Sequence, residues 1–179
     1  ENADILRDRL QKEGHTFRSE TDTEIFSHLI EKYYEKSIPL ERAVDQALRE
    51  IIGAYGVVVL SQREPRKIVA ARLGSPLVLG IVQGEGYIVA SDVTALIRFT
   101  RQVVYIEDNE LVTIVDGNYT IHRHGAEEIV TRSAEEVEWD ITQAEKGGHA
   151  HFMEKEIFEQ PMALRNSLRG RMVIDDGIA

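Results

Sequence analysis

The sequence predicts a layered α+β domain in which two antiparallel sheets are covered by helices on their outer sides. Apolar residues recur at helical spacing over residues 3–53 and again near the end of the chain. Between these segments, residues 54–124 form an almost continuous block of strand-like runs, interrupted by a single short helical pattern. Because parallel βαβ units need a helix between successive strands, this order favours antiparallel sheets.

Cap and stop residues give the limits of the first three helices. Asn2 is positioned to cap the first helix and Gly14 to stop it, and a short strand over residues 15–19 is expected to follow. Residues 21–24, Thr-Asp-Thr-Glu, form a capping box at the start of the second helix, and Pro39 opens the third. The predicted helices span residues 2–12, 21–34 and 39–53.

The strand block alternates between apolar and polar positions and is divided by turn residues. Asp108-Asn109 and Asp116-Gly117 are hairpin turn signals, and Ser91-Asp92 caps a short helix through residue 99. A last helix is expected over residues 151–168, interrupted or kinked near Pro161. The predicted strands span residues 54–61, 67–72, 77–82, 87–90, 102–107, 110–115 and 118–124.

Composition excludes several functional classes. The chain has 21 basic and 31 acidic residues and a net charge of −10, which disfavours nucleic acid as a partner. It contains no cysteine, so it has no disulfide, thiolate metal site or cysteine nucleophile of its own. The apolar runs are strand-sized and the first residues lack the basic region of a secretory signal. We therefore expect a soluble cytoplasmic protein with no membrane partner.

Asp22 is the candidate binding residue, and its position allows two interpretations. Glu20, Asp22 and Glu24 lie together around the start of the second helix. In the structural interpretation, Thr21 and Glu24 cap the helix and the other acids are solvated. In the functional interpretation, Asp22 is held ionised by the amides of the first helical turn and binds the ammonium group of an amino acid. The two roles are compatible.

Other polar clusters give weaker indications of a site. Two histidine pairs occur, namely His122 with His124 and His149 with His151. The second pair precedes Glu154 and Glu156 and could in principle bind zinc, but its residues share no fixed face, so a surface role is favoured. The first pair is expected on one strand face without a chemical role. Turns between strands explain Gly80, Gly84 and Gly86 better than a phosphate-binding loop does.

Several blocks of the sequence resemble class II glutamine amidotransferases. Residues 19–24 carry the Ser-Glu-Thr-Asp-Thr-Glu element, and residues 53–56, 70–77 and 88–92 agree with the family in order. Residues 151–161, His-Phe-Met-Glu-Lys-Glu-Ile-Phe-Glu-Gln-Pro, are the most specific block and are similar to the glutamine–fructose-6-phosphate aminotransferase branch. The resemblance covers nearly the whole chain.

This resemblance implies an N-terminal-nucleophile hydrolase-like fold, a four-layer α-β-β-α sandwich that is incomplete in this chain. Residues 1–147 would be the C-terminal part of the amidotransferase domain, and residues 148–179 a terminal helix and the start of a linker to a sugar isomerase domain. In the family, an amino-terminal cysteine attacks the amide of glutamine, and the released ammonia aminates fructose 6-phosphate to give glucosamine 6-phosphate. Asp22 matches the aspartate that binds the α-amino group of glutamine.

The resemblance also implies what this chain lacks. The family's catalytic cysteine, its carboxylate-binding arginine and the Asn-Gly of its oxyanion hole would all precede residue 1. We therefore expect no catalytic residue, metal or cofactor in these 179 residues and no glutaminase activity from them alone. A homo-oligomer or a companion chain is expected to cover exposed sheet edges. The alternative is a non-catalytic module of the same fold that binds an amino acid or a partner protein.

Overall fold

A computed structural model describes residues 1–35, 37–126, 128–137 and 149–168 of the chain. The chain divides into two compact units, Glu1–Val137 and Glu138–Ala179. The domain boundary predicted between residues 147 and 148 lies outside the described residues and stays a prediction.

In its described residues, the first unit begins with three amphipathic helices and continues with nine strands. The helices are α1 (Ala3–Lys12), α2 (Thr23–Tyr33) and α3 (Leu40–Leu48), each with a buried apolar face. A one-turn 3-10 helix, Val93–Ala95, lies between the fourth and the fifth of these strands. The strands are β1 (Tyr55–Leu60), β2 (Lys67–Leu73), β3 (Val78–Val82), β4 (Gly86–Ala90), β5 (Gln102–Tyr105), β6 (Glu110–Val115), β7 (Asn118–Arg123), β8 (Ile129–Val130) and β9 (Glu135–Glu136).

These strands form two antiparallel sheets, as the sequence predicts. The five-stranded sheet has the order β1-β2-β6-β7-β8, and the four-stranded sheet has the order β4-β3-β5-β9. The β6–β7 hairpin turns at Asp116 and Gly117, both of which have a positive φ. Asn109, immediately before β6, also has a positive φ. The hairpin predicted at Asp116-Gly117 is confirmed, whereas the one predicted at Asp108-Asn109 is wrong, because β5 and β6 lie in different sheets and do not pair.

The core is layered because alternate residues of β2 and β6 face opposite sides. Val69, Ala71 and Leu111 pack with the buried faces of α1, α2 and α3. Ala70 and Val112 belong to a second cluster, which lies between the two sheets. A third cluster includes residues of β3 and β5 and the short helix at Val93. The order is therefore helices, sheet, sheet and a thin outer cover.

Several local predictions are wrong in detail. Residues 15–19 form no strand, and the helix expected over residues 91–99 is a single 3-10 turn, although Asp92 does cap it by accepting a hydrogen bond from the Thr94 amide at 2.7 Å. Gly80 lies inside β3 rather than between strands. Glycine is needed at this position because Thr100 and Leu96 approach too closely to leave room for a side chain. Gly84 and Gly86 have a positive φ at the β3–β4 turn, as expected.

The described part of the second unit is one helix, α4 (Phe152–Leu168). This helix passes through Pro161 without a break, so the expected interruption is wrong, whereas a kink at Pro161 stays a prediction. Within the described residues, no helix combines the length and apolar character needed to cross a membrane.

Candidate functional site

Asp22 lies at the N-terminus of α2 and is exposed. Its carboxylate caps no amide and makes no hydrogen bond with another described residue. The predicted capping by first-turn amides is therefore wrong, and so is the capping box. Asp22 instead borders a small pocket of about 50 Å³, which is otherwise lined mainly by apolar side chains of α1, α2 and residues 51–54.

The turn before Asp22 is held by a carboxylate on one side. Glu24 accepts hydrogen bonds from the amides of Arg18 and Ser19, both at 2.7 Å, and from the Ser19 hydroxyl at 2.6 Å. The Ser19 hydroxyl, followed by the Arg18 amide, lowers the pKa of Glu24 to about 2. The Thr21 hydroxyl pairs with that of Ser19 at 2.8 Å. Glu24 thus fixes the backbone that leads into the helix and leaves Asp22 free.

Arg7 of α1 holds the same turn from the other side. Its guanidinium donates to the carbonyl of Ser19 at 2.9 Å and to the carbonyl of Thr21 at 2.8 Å. It also lies over the ring of Phe17, 4.5 Å from the ring centroid. This clamp was missed by sequence analysis because Arg7 contacts carbonyl groups 12 and 14 residues away. The planar guanidinium presents two N–H groups side by side and can donate to both carbonyls at once, a geometry that the ammonium group of a lysine does not offer.

Asn2 builds the opposite wall of the Asp22 pocket. Its side-chain amide donates to the carbonyl of Glu50 at 2.8 Å and accepts from the amide of Ile52 at 3.0 Å. Asn2 is the N-cap residue of α1, as predicted, but its side chain makes no capping hydrogen bond, since these two bonds use it instead. Together they hold residues 50–52, which follow α3, against the start of α1.

A second polar cluster joins the loop after α1 to the second and third turns of α2. The Nδ1 atoms of His15 and His28 lie 3.2 Å apart, and each is 3.6 Å from Oε2 of Glu31. Among the described residues, this is the group of three whose atoms have metal-ligand spacing. The i, i+3 spacing of His28 and Glu31 was visible in the sequence, but the approach of His15 was not.

The predicted histidine pairs lie elsewhere and do different work. His124 follows β7 and its Nδ1 is 2.7 Å from Oδ1 of Asp45 on α3, so it ties the helices to the sheet. Burial raises the pKa of Asp45, but hydrogen bonds from the Gly125 amide, Arg49 and His124 outweigh it and lower the pKa. In the second unit, His149 stacks on Phe158.

A wider groove, of about 580 Å³, lies between α2 and the edge strand β1. It is lined by Phe26, Tyr34 and the outer strand residues, with Arg63 as its cation. Val58 and Leu60 of β1 are 50% and 69% exposed, which is high for apolar strand residues. This groove is larger than the pocket at Asp22, and His28 and Glu31 of the second polar cluster are among the residues that line it.

Comparison with known proteins places these features in a family. Residues 1–98 match the family model described as a glutamine amidotransferase domain. The chain is 46% identical to glutamine–fructose-6-phosphate aminotransferase [isomerizing] of Thermotoga maritima over 98% of its length, and 45% identical to that of Methanothermobacter thermautotrophicus over 94%. It covers 28% of each of these two relatives.

A solved structure supports the fold. The glutamine phosphoribosylpyrophosphate amidotransferase of B. subtilis, complexed with ADP and GMP, superposes with a TM-score of 0.59 at 25% identity. The match covers 72% of this chain and 28% of that one. The expected α+β fold of the N-terminal-nucleophile type is confirmed by this similarity and by the two antiparallel sheets.

Proposed function

This chain belongs to the glutamine amidotransferase domain family, and from that membership we propose that it forms part of the glutaminase region of an enzyme that makes glucosamine 6-phosphate from glutamine and fructose 6-phosphate. The observation that carries the proposal is the 38–46% identity to aminotransferases of that name over almost the whole chain. Fructose 6-phosphate would bind in a sugar isomerase domain outside these residues. A cytoplasmic homo-oligomer is the expected form.

Within this chain, the proposed role of Asp22 is to bind the α-ammonium group of glutamine. Its carboxylate is exposed at a pocket and has no hydrogen-bond partner among the described residues, so a cationic ligand displaces no protein contact. Arg7 and Glu24 hold the preceding backbone on both sides, which fixes the direction of Asp22 before a ligand arrives. Pre-organisation of this kind suits a binding residue better than a cap.

The size of the pocket limits how much of the ligand this chain can hold. Ligand pockets usually enclose about 300–1,000 Å³. The pocket at Asp22, of about 50 Å³, is far smaller than that, so it suits one end of an amino acid rather than the whole ligand. The proposal is therefore that this chain contributes the ammonium end of the site. Since its sequence has no cysteine, the nucleophile must come from elsewhere, and the 179 residues alone are expected to release no ammonia from glutamine.

The test is Asp22→Asn in the native protein that carries this chain, with glutamine-dependent formation of glucosamine 6-phosphate as the assay. A charge-assisted hydrogen bond contributes about 1.5–3 kcal/mol, which corresponds to a loss of about ten- to a hundredfold in kcat/KM for glutamine. Glu20→Gln is the matched control, because it removes the charge of an exposed acid two residues away.

Two results would separate the alternatives. An unchanged kcat/KM for glutamine in the Asp22→Asn variant would refute the role of Asp22 while leaving the enzyme assignment intact. A native protein that binds glutamine at Asp22 but forms no glucosamine 6-phosphate would instead favour the non-catalytic binding module.

A further inference from the structure

Three side chains near the start of the chain converge on one point. Nδ1 of His15 and Nδ1 of His28 are 3.2 Å apart, and Oε2 of Glu31 is 3.6 Å from both. At 3.6 Å the carboxylate is too distant to accept a hydrogen bond from either ring. Glu31 nevertheless lies at equal distances from the two nitrogens, which a hydrogen bond between the rings alone does not explain.

These separations match the ligand spacing around a tetrahedral zinc ion. Zinc binds histidine nitrogen at about 2.0–2.1 Å and carboxylate oxygen at about 2.0–2.2 Å, so neighbouring ligand atoms are about 3.3–3.5 Å apart. The three observed separations, 3.2, 3.6 and 3.6 Å, lie within a few tenths of an ångström of that range. Binding would need little movement of the loop or of α2.

The surroundings of His28 also suit a metal ligand. If Nδ1 binds a metal, Nε2 must carry the proton and needs an acceptor. Nε2 of His28 is buried and has no hydrogen-bond partner among the described residues, and Oε1 of Glu24, 3.6 Å away, would have to move a few tenths of an ångström closer to accept from it. The Glu24 carboxylate is itself fixed by the turn before α2. The ring of Phe17, with its centroid 4.4 Å from that of His28, shields the other side.

The solvent exposure of the three side chains fits a metal site with three protein ligands and one open position. The side chains of His15 and His28 are 18% and 16% exposed, whereas Glu31 is 68% exposed and forms the outer rim. A fourth position would therefore face solvent and hold water. Glu31 and Glu24 supply two negative charges near a dication, in a chain whose net charge is −10.

We propose that His15, His28 and Glu31 bind one Zn²⁺ or a similar divalent transition metal. The metal fastens the loop after α1 to α2, only a few residues from the turn that presents Asp22. Imidazole nitrogen favours transition metals over Mg²⁺, which prefers oxygen ligands. The proposal is independent of the role of Asp22, since neither imidazole contacts that residue.

The test measures Zn²⁺ content by equilibrium dialysis of the native protein and of variants at neutral pH, followed by metal analysis. His15→Asn, His28→Asn and Glu31→Gln each remove one ligand, and His122→Asn is the matched control, because His122 is also half-buried but lies on β7, outside the cluster. We expect the wild-type protein and the control to bind one more equivalent of Zn²⁺ than the His15 and His28 variants. Glu31→Gln should weaken Zn²⁺ binding at least tenfold.

Co²⁺ provides a second readout that reports the geometry. Substitution of Co²⁺ should give the intense visible absorption of a tetrahedral site in the wild-type protein and in the His122 control, and this band should be lost in His15→Asn. Equal Zn²⁺ content in all variants, or binding of Mg²⁺ at this site as tight as that of Zn²⁺, would overturn the proposal. If His28→Asn does not fold, His15→Asn and Glu31→Gln decide the outcome, because their side chains lie at the loop and the rim.

Discussion

Arg132→Met should be among the most destabilising single changes in the first unit. Glu110 of β6 is only 2% exposed, and Arg132 donates two hydrogen bonds to its carboxylate, both at 2.8 Å. The amide of Glu107 supplies the remaining close donor at 2.7 Å. Removing the guanidinium leaves a buried carboxylate without its counter-charge, which costs about 3–5 kcal/mol. By contrast, Arg66 is 83% exposed and its pair with Asp116 is expected to contribute no more than about 1 kcal/mol.

Amide hydrogen exchange of β6 peptides, followed by mass spectrometry in the native protein, measures this cost locally. A loss of 3–5 kcal/mol corresponds to roughly a hundred- to a few thousandfold faster exchange where exchange follows opening of the strand. Arg66→Met is the matched control and should change exchange by less than about fivefold. Glu110→Gln combined with Arg132→Met should be less harmful than the sum of the two single changes, because the double variant leaves no buried charge unpaired. Exchange in Arg132→Met within tenfold of wild type would refute the reasoning.

Three further changes test other contacts. Asp45→Asn should cost about 1–3 kcal/mol near neutral pH, and because the folded pKa of Asp45 is lowered, the difference from wild type in thermal unfolding should shrink as pH falls below about 4, the unfolded pKa. Gly80→Ala should cost about 1–3 kcal/mol in urea unfolding, since its Cβ would lie 2.9 Å from Cγ2 of Thr100; an unchanged midpoint would show that Thr100 moves freely. Asn2→Ala should speed hydrogen exchange around residues 50–52, while unchanged exchange would contradict its role in that wall.

The strands could be predicted closely because the turn residues that end them are recognisable from the local sequence. Residues 110–115 were predicted as a strand and form β6 over the same range, since Asn109 and Asp116 on either side adopt the left-handed conformation that their short polar side chains tolerate. The family resemblance is confirmed by the match over residues 1–98. By contrast, β8 and β9 have two residues each, which is too short for a detectable period of two.

The errors arose where a distant partner replaced a local one. Asn2 was expected to cap α1, but its side chain binds groups 48 and 50 residues away. Residues 21–24 carry the letters of a capping box, yet Glu24 reaches past Thr21 to the amides of Arg18 and Ser19. Local preference cannot anticipate the contacts of Asn2, because its partners follow α3 and are brought near only by the tertiary fold.

Around Asp22, the residues that hold the backbone of the turn are distinct from the residue that is proposed to bind the ligand. Arg7 and Glu24 satisfy backbone carbonyls and amides of the turn, so neither uses the Asp22 side chain. A helix N-terminus can satisfy a carboxylate by itself, and natural helices commonly use aspartate in that way. Here that option is not taken, and the charge faces a pocket large enough for an ammonium group. An exposed acid that makes no capping hydrogen bond, on a backbone that is held from both sides, supports the proposal that Asp22 binds a ligand.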